Sequence, residues 1–278
     1  MFAIIIVHFG EIKTTADCIA SLRKFEKDFR LIIVDNGTGL EDLEEKLGLK
    51  ESDIFIQPAE NIGFGSACNL GLRKAVDEKI VFLAVLNNDT LILSPFLDQL
   101  RQSLRPGVGA VSPLIMKYPD TGVVWFAGGK FNRLTTRAEN LTRIKSSLNY
   151  ESDFLSGCCF MTTPEVVKKV GLFDSDFFFT YEDVDWCLRA RKLGYKLLVV
   201  PSVKILHQGG VGSGGSRSVF GLSNTFQSQR TMIAKHTDYP LRIIAKIYLS
   251  LLALKVITML LLRGDRSKFN AVIKGLST

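Results

Sequence analysis

Three acids, Glu182, Asp183 and Asp185, lie between the aromatic run Phe177-Phe178-Phe179-Thr180-Tyr181 and the segment Trp186-Cys187-Leu188-Arg189. Taking an ionised carboxylate out of water costs on the order of several kcal/mol, so acids in such surroundings are paired or put to use. Burial also lifts a carboxyl pKa toward the range where it accepts a proton near neutral pH. The adjacent pair Glu182-Asp183 is therefore a general-base candidate. The same acids would suit the first turn of a helix, where negative charge meets the positive end of the helix dipole. Both readings can hold together. Trp186 is read as core or as a sugar-stacking ring, and Arg189 and Arg191 as structural or phosphate-facing.

Three polar clusters, His8-Phe9-Gly10, Asp35-Asn36-Gly37 and Asn87-Asn88-Asp89, each follow an apolar run, at residues 2–7, 30–34 and 80–86. Runs rich in β-branched residues mark strands buried on both faces. Residues 54–56 form a further short strand. Between the strands, the spacing of Cys18, Ile19, Leu22 and Phe25 predicts a helix over 14–25. A short acidic helix is expected over 40–49, and a glycine-rich turn leading into a helix over 61–76. Strands alternating with helices give a parallel sheet covered on both faces, and ligands bind beyond the carboxyl ends of such strands. Asp, Asn and Gly are turn formers in any case. What sets these clusters apart is that all three would share one edge.

The second half, 107–207, is less regular. It reads as a turn at Gly128-Gly129, a strand over 154–161 and a helix over 164–170 opened by Pro164. A helix over 184–193 closed by Gly194 follows, then separate strands over 196–200 and 203–207. Residues 209–217 hold so many glycines that a mobile loop is expected.

Composition sets the frame. At 278 residues, 46% hydrophobic and 23% charged, the chain suits one large α/β domain with an appendage. The formal charge is +7, but from Lys235 onward there are eight Lys/Arg and two Asp/Glu, which leaves the body nearly neutral. Charge therefore gives no support to nucleic acid as a partner. The five cysteines, an odd count with no CxxC spacing, read as buried free thiols of a reducing compartment. The first residues lack a basic segment and a cleavage site, so they read as a strand and the protein as cytoplasmic. Residues 243–262 carry only Lys246 and Lys255 as charges, and Arg263, Arg266 and Lys268 follow. About 30 Å of helix could span a bilayer. A central Lys opposes insertion by about 2.5–3.5 kcal/mol, which favours a helix lying on the membrane. Spanning, or packing on protein, stays open.

In this order and spacing, the motifs resemble those of the inverting glycosyltransferases of family 2, with a GT-A fold, in the rhamnosyltransferase-like branch of bacterial surface-polysaccharide synthesis. The resemblance covers roughly residues 2–240. It rests on Ile33-Val34-Asp35-Asn36-Gly37-Thr38, on Glu60 to Gly71, on Leu86-Asn87-Asn88-Asp89-Thr90, on Phe154-Leu155-Ser156-Gly157, on Glu182-Asp183, and on His207 followed by Gly209-Gly210.

The resemblance implies a donor half over 1–106, an acceptor and catalytic half over 107–217 within a domain 1–239, and a basic hydrophobic tail over 240–278. It implies Asp183 as general base, with Glu182 orienting the acceptor or raising the Asp183 pKa by like-charge coupling. The nucleotide-sugar donor would meet His8, Phe9, Asp35, Asn36, Asn61, Gly63, Phe64, Asn69 and Asn88. Asp89 and His207 would ligate a divalent metal, Mn²⁺ or Mg²⁺. Asn87 stands where many relatives carry an acid, so metal should bind weakly until a diphosphate arrives. The implied acceptor is a lipid-linked saccharide at the inner surface of the cell membrane; a homodimer is left open. Two other readings are an inactive nucleotide-sugar-binding or scaffold protein and a sugar-nucleotide pyrophosphorylase. The latter would want a Gly-rich, Lys/Arg-bearing loop after the first strand, and His8-Phe9-Gly10-Glu11 is not that.

Overall fold

The computed structural model describes residues 1–209 and 218–277. The glycine-rich stretch expected to form a loop therefore lies outside the described residues beyond Gly209.

The first half begins with β1 (Phe2–His8), α1 (Ile12–Phe25), β2 (Phe29–Asp35), α2 (Leu43–Lys46), β3 (Ile54–Ile56), α3 (Phe64–Asp77) and β4 (Phe82–Leu86). Ile4, Ile5 and Ile6 are fully buried, as a strand covered on both faces requires. β1 runs parallel to β2 and β4, and β2 parallel to β3. The acidic helix expected over 40–49 shrinks to the single turn of α2.

The chain continues through β5 (Thr90–Ile92), α4 (Leu97–Ser103), β6 (Val108–Lys117), β7 (Val124–Phe126), the hairpin β8 (Gly129–Asn132) and β9 (Arg137–Asn140), β10 (Tyr150–Glu151), β11 (Cys159–Thr162), α5 (Pro164–Val170), α6 (Glu182–Lys192) and β12 (Lys196–His207). The main sheet has the order β10-β12-β6-β11-β4-β1-β2-β3, with β5 on β12 and β7 on β6. It departs from all-parallel at β11, which is antiparallel to both β4 and β6. That double reversal returns β6 and its parallel neighbour β12 to the direction of β4. The carboxyl ends of β1, β2, β4, β6 and β12 therefore lie on one edge.

Two expectations fail locally. The strand over 154–161 begins only at Cys159, after a turn at Gly157-Cys158. The two strands over 196–207 are one, β12, with its register against β6 shifted between Val200 and Lys204, around Pro201. Proline cannot donate to a ladder, so the irregularity keeps the strand continuous. All five cysteines are free and buried, and burial pushes every thiol pKa up.

Beyond the sheet come α7 (Val219–His236), α8 (Leu241–Leu262) and α9 (Arg266–Ser277). They build a second core from Phe226 and Ile233 of α7, Ala245, Leu249, Ala253 and Leu260 of α8, and Val272 of α9. A Cβ on Gly275 would strike the Ser223 carbonyl, so glycine is what lets α9 lie against α7. α7 thus shares a core with the expected tail, and its Met232 joins the main core.

Candidate active site

β5 brings the first site residues together. It pairs antiparallel with the end of β12, setting Thr90 opposite His207. The Gln208 N–H donates to the Asp89 carbonyl at 2.9 Å. Asp89 Oδ1 and His207 Nε2 approach to 3.1 Å, both residues buried. Yet Asp89 Oδ1 has no hydrogen-bond partner, and neither does His207 Nδ1. Two polar atoms in contact without hydrogen-bond alignment have the spacing of neighbouring ligands around a small octahedral cation, about 3 Å for bonds of about 2.1 Å. Among the described residues no group of three or more His, Cys, Asp or Glu could hold a metal. A cation here would need oxygens from a substrate to complete its shell. The donor set fits that use.

Trp125 of β7 lies edge-on against His207, ring centroids 4.3 Å apart. Nothing in the sequence separated this tryptophan from a core one. Trp186, by contrast, is core: its ring packs on Phe160 and Phe173, and its Nε1 donates to the Gly171 carbonyl.

One dipeptide links this corner to the acid pair. The Asn87 N–H donates to the Cys158 carbonyl at 2.8 Å, and the Gly157 N–H donates to Asp183 Oδ2 at 2.7 Å. Asp183 Oδ1 accepts from the Val184 N–H at 2.7 Å. Burial raises the Asp183 pKa, and these two N–H groups pull it back. Glu182 sits deeper. Its Cβ and Cγ face Gly65 on α3, where an added Cβ would lie 3.2–3.3 Å away. Burial, with the Asp183 charge adding to it, pushes the Glu182 carboxyl up to about 8. The two adjacent carboxyls are thus both raised, Asp183 chiefly by burial and Glu182 by burial with the Asp183 charge beside it.

Both acids open α6, as the helix-start reading expects. The two residues before them, Thr180 and Tyr181, have φ of +67° and +73°. Consecutive non-glycine residues in the left-handed region are strained, at roughly 1–3 kcal/mol each. α7 holds this turn. Gln229 Nε2 donates to the Tyr181 hydroxyl at 3.3 Å, and Ser228 Oγ to the Phe179 carbonyl at 3.2 Å. His236 Nε2 lies 2.7 Å from Asp185 Oδ1, while Arg189 Nε donates to Asp185 Oδ2 at 2.8 Å. Arg189 also donates to the Val170 and Leu172 carbonyls, a structural role. Arg191 pairs with Asp153.

The remaining sequence-derived positions group around β1 and β2. His8 is fully buried, with Nδ1 2.7 Å from Thr15 Oγ1 and Nε2 without a partner. Burial lowers its pKa against the pull of Asp35. Phe9 is exposed beside it, and Asn88 donates to Thr15 Oγ1 at 2.9 Å. Asp35 Oδ1 accepts from Thr38 N–H and Oγ1, and Oδ2 from Gln57. Asn36 Nδ2 donates to Asn61 Oδ1, which also accepts from the Gly63 N–H; Asn36 Oδ1 accepts from the Ile62 N–H. Gly63 has φ +84°, and a Cβ there would lie 2.5 Å from the Phe178 carbonyl oxygen, so only glycine fits. Phe64 follows at the start of α3, its N–H donating to that carbonyl. Gly63 and Phe64 thereby join the loop after β3 to the turn that precedes α6. Asn69 is buried on α3 with Oδ1 and Nδ2 both bonded to the Phe173 backbone, which makes it a clamp between the two segments.

Six buried side-chain atoms among the described residues lack a hydrogen-bond partner: those of His8, Asn87, Asp89, Thr180, Glu182 and His207. Orphaned buried polar atoms cost about 1–3 kcal/mol each and call for a reason. All six belong to the carboxyl edge of the sheet or to the turn joined to it through Gly157-Cys158.

The family described as Glycosyl transferase family 2 matches residues 3–171. The chain is 27% identical over 214 residues to a dTDP-rhamnosyl transferase, RfbF, of Shigella flexneri, covering 74% of this chain and 68% of the relative. It is 24% identical over 212 residues to a low-salt glycan biosynthesis hexosyltransferase, Agl10, of Haloferax volcanii, covering 68% and 61%. Among solved structures, GalNAc-T7 with UDP, GalNAc and Mn²⁺ superposes with a TM-score of 0.64 at 16% identity, over 89% of this chain and 54% of that one. S. aureus TarS 1–349 with UDP gives 0.58 at 14% identity, over 89% and 70%. The chain thus spans about half the length of the GalNAc-T7 chain. At these identities the structural likeness establishes the fold, which is GT-A.

Proposed function

Because the chain belongs to glycosyl transferase family 2, we propose that it moves a hexose, rhamnose being the first choice, from a nucleoside diphosphate sugar to a saccharide acceptor with inversion. The observation that carries this reading is that the six orphaned polar atoms all lie either at the carboxyl edge of the sheet, with Asp89 and His207, or in the turn that carries the acid pair. Asp183 is the base. Its carboxylate takes the proton from an acceptor hydroxyl as that oxygen bonds to the anomeric carbon, while the bond from that carbon to the diphosphate oxygen breaks on the opposite side. Burial and the neighbouring Asp183 charge raise the Glu182 pKa, which favours Asp183 as the charged member of the pair. Asp89 and His207 are the residues that would hold a divalent cation, Mn²⁺ or Mg²⁺, whose chemistry when bound is to offset charge on the departing diphosphate. His8, Phe9, Asp35, Asn36, Asn61, Gly63, Phe64 and Asn88 form the donor side. Rhamnose as the sugar is supported by the likeness to RfbF.

The acceptor is lipid-linked, and the enzyme works on the cytoplasmic surface of the membrane. Support comes from α8, 22 residues with mean hydropathy 2.0, long and apolar enough to cross a bilayer. One face packs in the second core. The opposite face leaves Ile244, Ile247, Leu251, Leu254, Leu261 and Leu262 exposed in a single stripe. Lys246 and Lys255 fall on opposite borders of that stripe, and residues 239–264 contain no acid. A helix with one packed face and one apolar face edged by lysines suits a bilayer surface better than its interior.

The test is turnover with a panel of nucleotide sugars, dTDP-rhamnose included. Asp183→Asn should keep donor binding near wild type and lose about 10²-fold or more in rate. A variant that retains more than about a third of the wild-type rate removes Asp183 as base, since general-base catalysis alone exceeds that loss.

A further inference from the structure

We propose that the outward face of the β8–β9 hairpin, centred on Arg137, is the subsite for the diphosphate of the acceptor. The proposal rests on the lipid-linked acceptor inferred above and gives it a point of recognition. A lipid-linked saccharide presents hydrocarbon, diphosphate and sugar in that order, and the protein offers three matching surfaces in the same sequence. First comes the exposed apolar stripe of α8. At its border stands Tyr248, whose hydroxyl accepts from Arg137 Nη1 at 3.3 Å. The Ala138 N–H then donates to the Tyr181 hydroxyl at 3.4 Å, and Tyr181 immediately precedes Glu182-Asp183. Arg137 is one hydroxyl from the lipid-facing helix and one residue from the catalytic turn.

The hairpin is built to present that charge. Its register sets Lys130 opposite Glu139 and Asn132 opposite Arg137, so these four share one face, all exposed. Phe131 and Ala138, on the other face, pack against the main core and fix the hairpin in place. Glu139 is the one acid on the face, and Lys130 stands across from it. Lys255 follows Tyr248 by seven residues, two turns along the same border of α8. Among the described residues, Tyr248 supplies the one side-chain hydrogen bond that Arg137 makes. That bond aims the guanidinium and leaves its other N–H groups free for phosphate oxygens. Arginine suits the task because its planar fork grips a phosphate through paired, charge-assisted hydrogen bonds.

The full chain can be tested on phosphatidylcholine vesicles doped with a polyprenyl diphosphate, with the same fraction of polyprenol, or with phosphatidylglycerol at matched charge. Excess chelator keeps the nucleotide side of the cleft from capturing the diphosphate through a cation. Wild type should prefer diphosphate vesicles to polyprenol vesicles by about tenfold or more. Arg137→Ala should lose most of that preference, Arg137→Lys should keep part of it, and Tyr248→Phe should lose about two- to threefold. A preference unchanged in Arg137→Ala overturns the subsite and leaves the lipid-linked acceptor standing. No preference in wild type overturns both. Equal binding to phosphatidylglycerol and diphosphate vesicles identifies a general anionic surface and overturns the diphosphate assignment.

Discussion

Replacing Glu182 with Gln should stabilise the protein at pH 8, by an amount that shrinks as the pH falls to 5. Glu182 is 6% exposed, and its Oε2 has no partner. Its carboxyl is pushed up to about 8 by burial, with the Asp183 charge adding to it. In the unfolded chain a glutamate titrates near about 4.3. Between those two values the folded protein holds a proton that the unfolded chain has released. Linkage then makes stability fall as pH rises: the contribution is whole below the unfolded pKa and is lost as pH passes the folded one. Each pH unit in that window is worth about 1.4 kcal/mol, so the wild type gives up on the order of 3–5 kcal/mol from this one group. Glutamine has the same shape and nothing to titrate. Asp183 titrates in both proteins and largely cancels from the difference. At about 2–3 °C per kcal/mol for a chain of this size, the Tm gap between variant and wild type should widen by about 6–12 °C from pH 5 to pH 8. Calorimetry or dye-based melting at four pH values measures it directly. Parallel Tm curves for the two proteins would refute a buried, proton-holding Glu182, and with it the argument that Asp183 alone carries the charge.

Asp89→Ala and His207→Ala should each weaken Mn²⁺-dependent binding of a nucleoside diphosphate, and full activity in excess chelator would sink both assignments. Since Trp125 touches His207 while Trp186 is buried in the core, Mn²⁺ should quench the emission of wild type but leave Trp125→Phe nearly unchanged. Removing the residues after Tyr239 should abolish salt-sensitive binding to anionic vesicles, where each Lys or Arg contributes about 1 kcal/mol; equal binding with and without the tail would argue that α8 serves packing alone. Gln229→Ala and His236→Ala should lower kcat by about tenfold with donor affinity unchanged, and His236→Gln should restore part of the loss, in keeping with a lost hydrogen bond of about 1–1.5 kcal/mol. A kcat within twofold of wild type for both alanine variants would mean that α7 does not position the acids.

The first half of the chain was legible because its signals are local. Ile4 to Ile6 are a buried strand by composition, and His8, Asp35 and Asn87 mark strand ends by contrast with what precedes them. The acid pair stood out because carboxylates among phenylalanines are costly. What stayed hidden depends on distance in space. The face that Glu182 turns to Gly65 and the commitment of Asn69 to Phe173 follow from packing between segments more than 100 residues apart. The single β12 was hidden by Pro201, which reads as a break but sits at a register shift. Trp125 has no neighbour in sequence to mark it, since its partner His207 comes from another strand. α7 has no marked signature in the sequence, because Val219 to His236 mixes Ser, Asn, Gln and Thr with too few apolar residues to trace a stripe.

That mixed composition follows from the two tasks α7 performs. One side of the helix must supply polar atoms to a turn that cannot hold itself. Thr180 and Tyr181 lie in left-handed backbone, and each would relax if released. Relaxation would swing Asp183 away from the Gly157 N–H, because the acid pair follows Tyr181 directly. Gln229, Ser228 and His236 bond the residues flanking the pair, Lys235 pairs with Asp174 and Asp176, and Phe220 packs on Phe178 and Phe179. The other side carries Phe226 and Ile233 into the core shared with α8 and α9. The strain at the turn before α6 is thus borne by a helix that packs on α8 and α9. An appendage that served only as an anchor would need no such contacts. Here, whatever fixes α8 also fixes the frame that holds Asp183 against the Gly157 N–H.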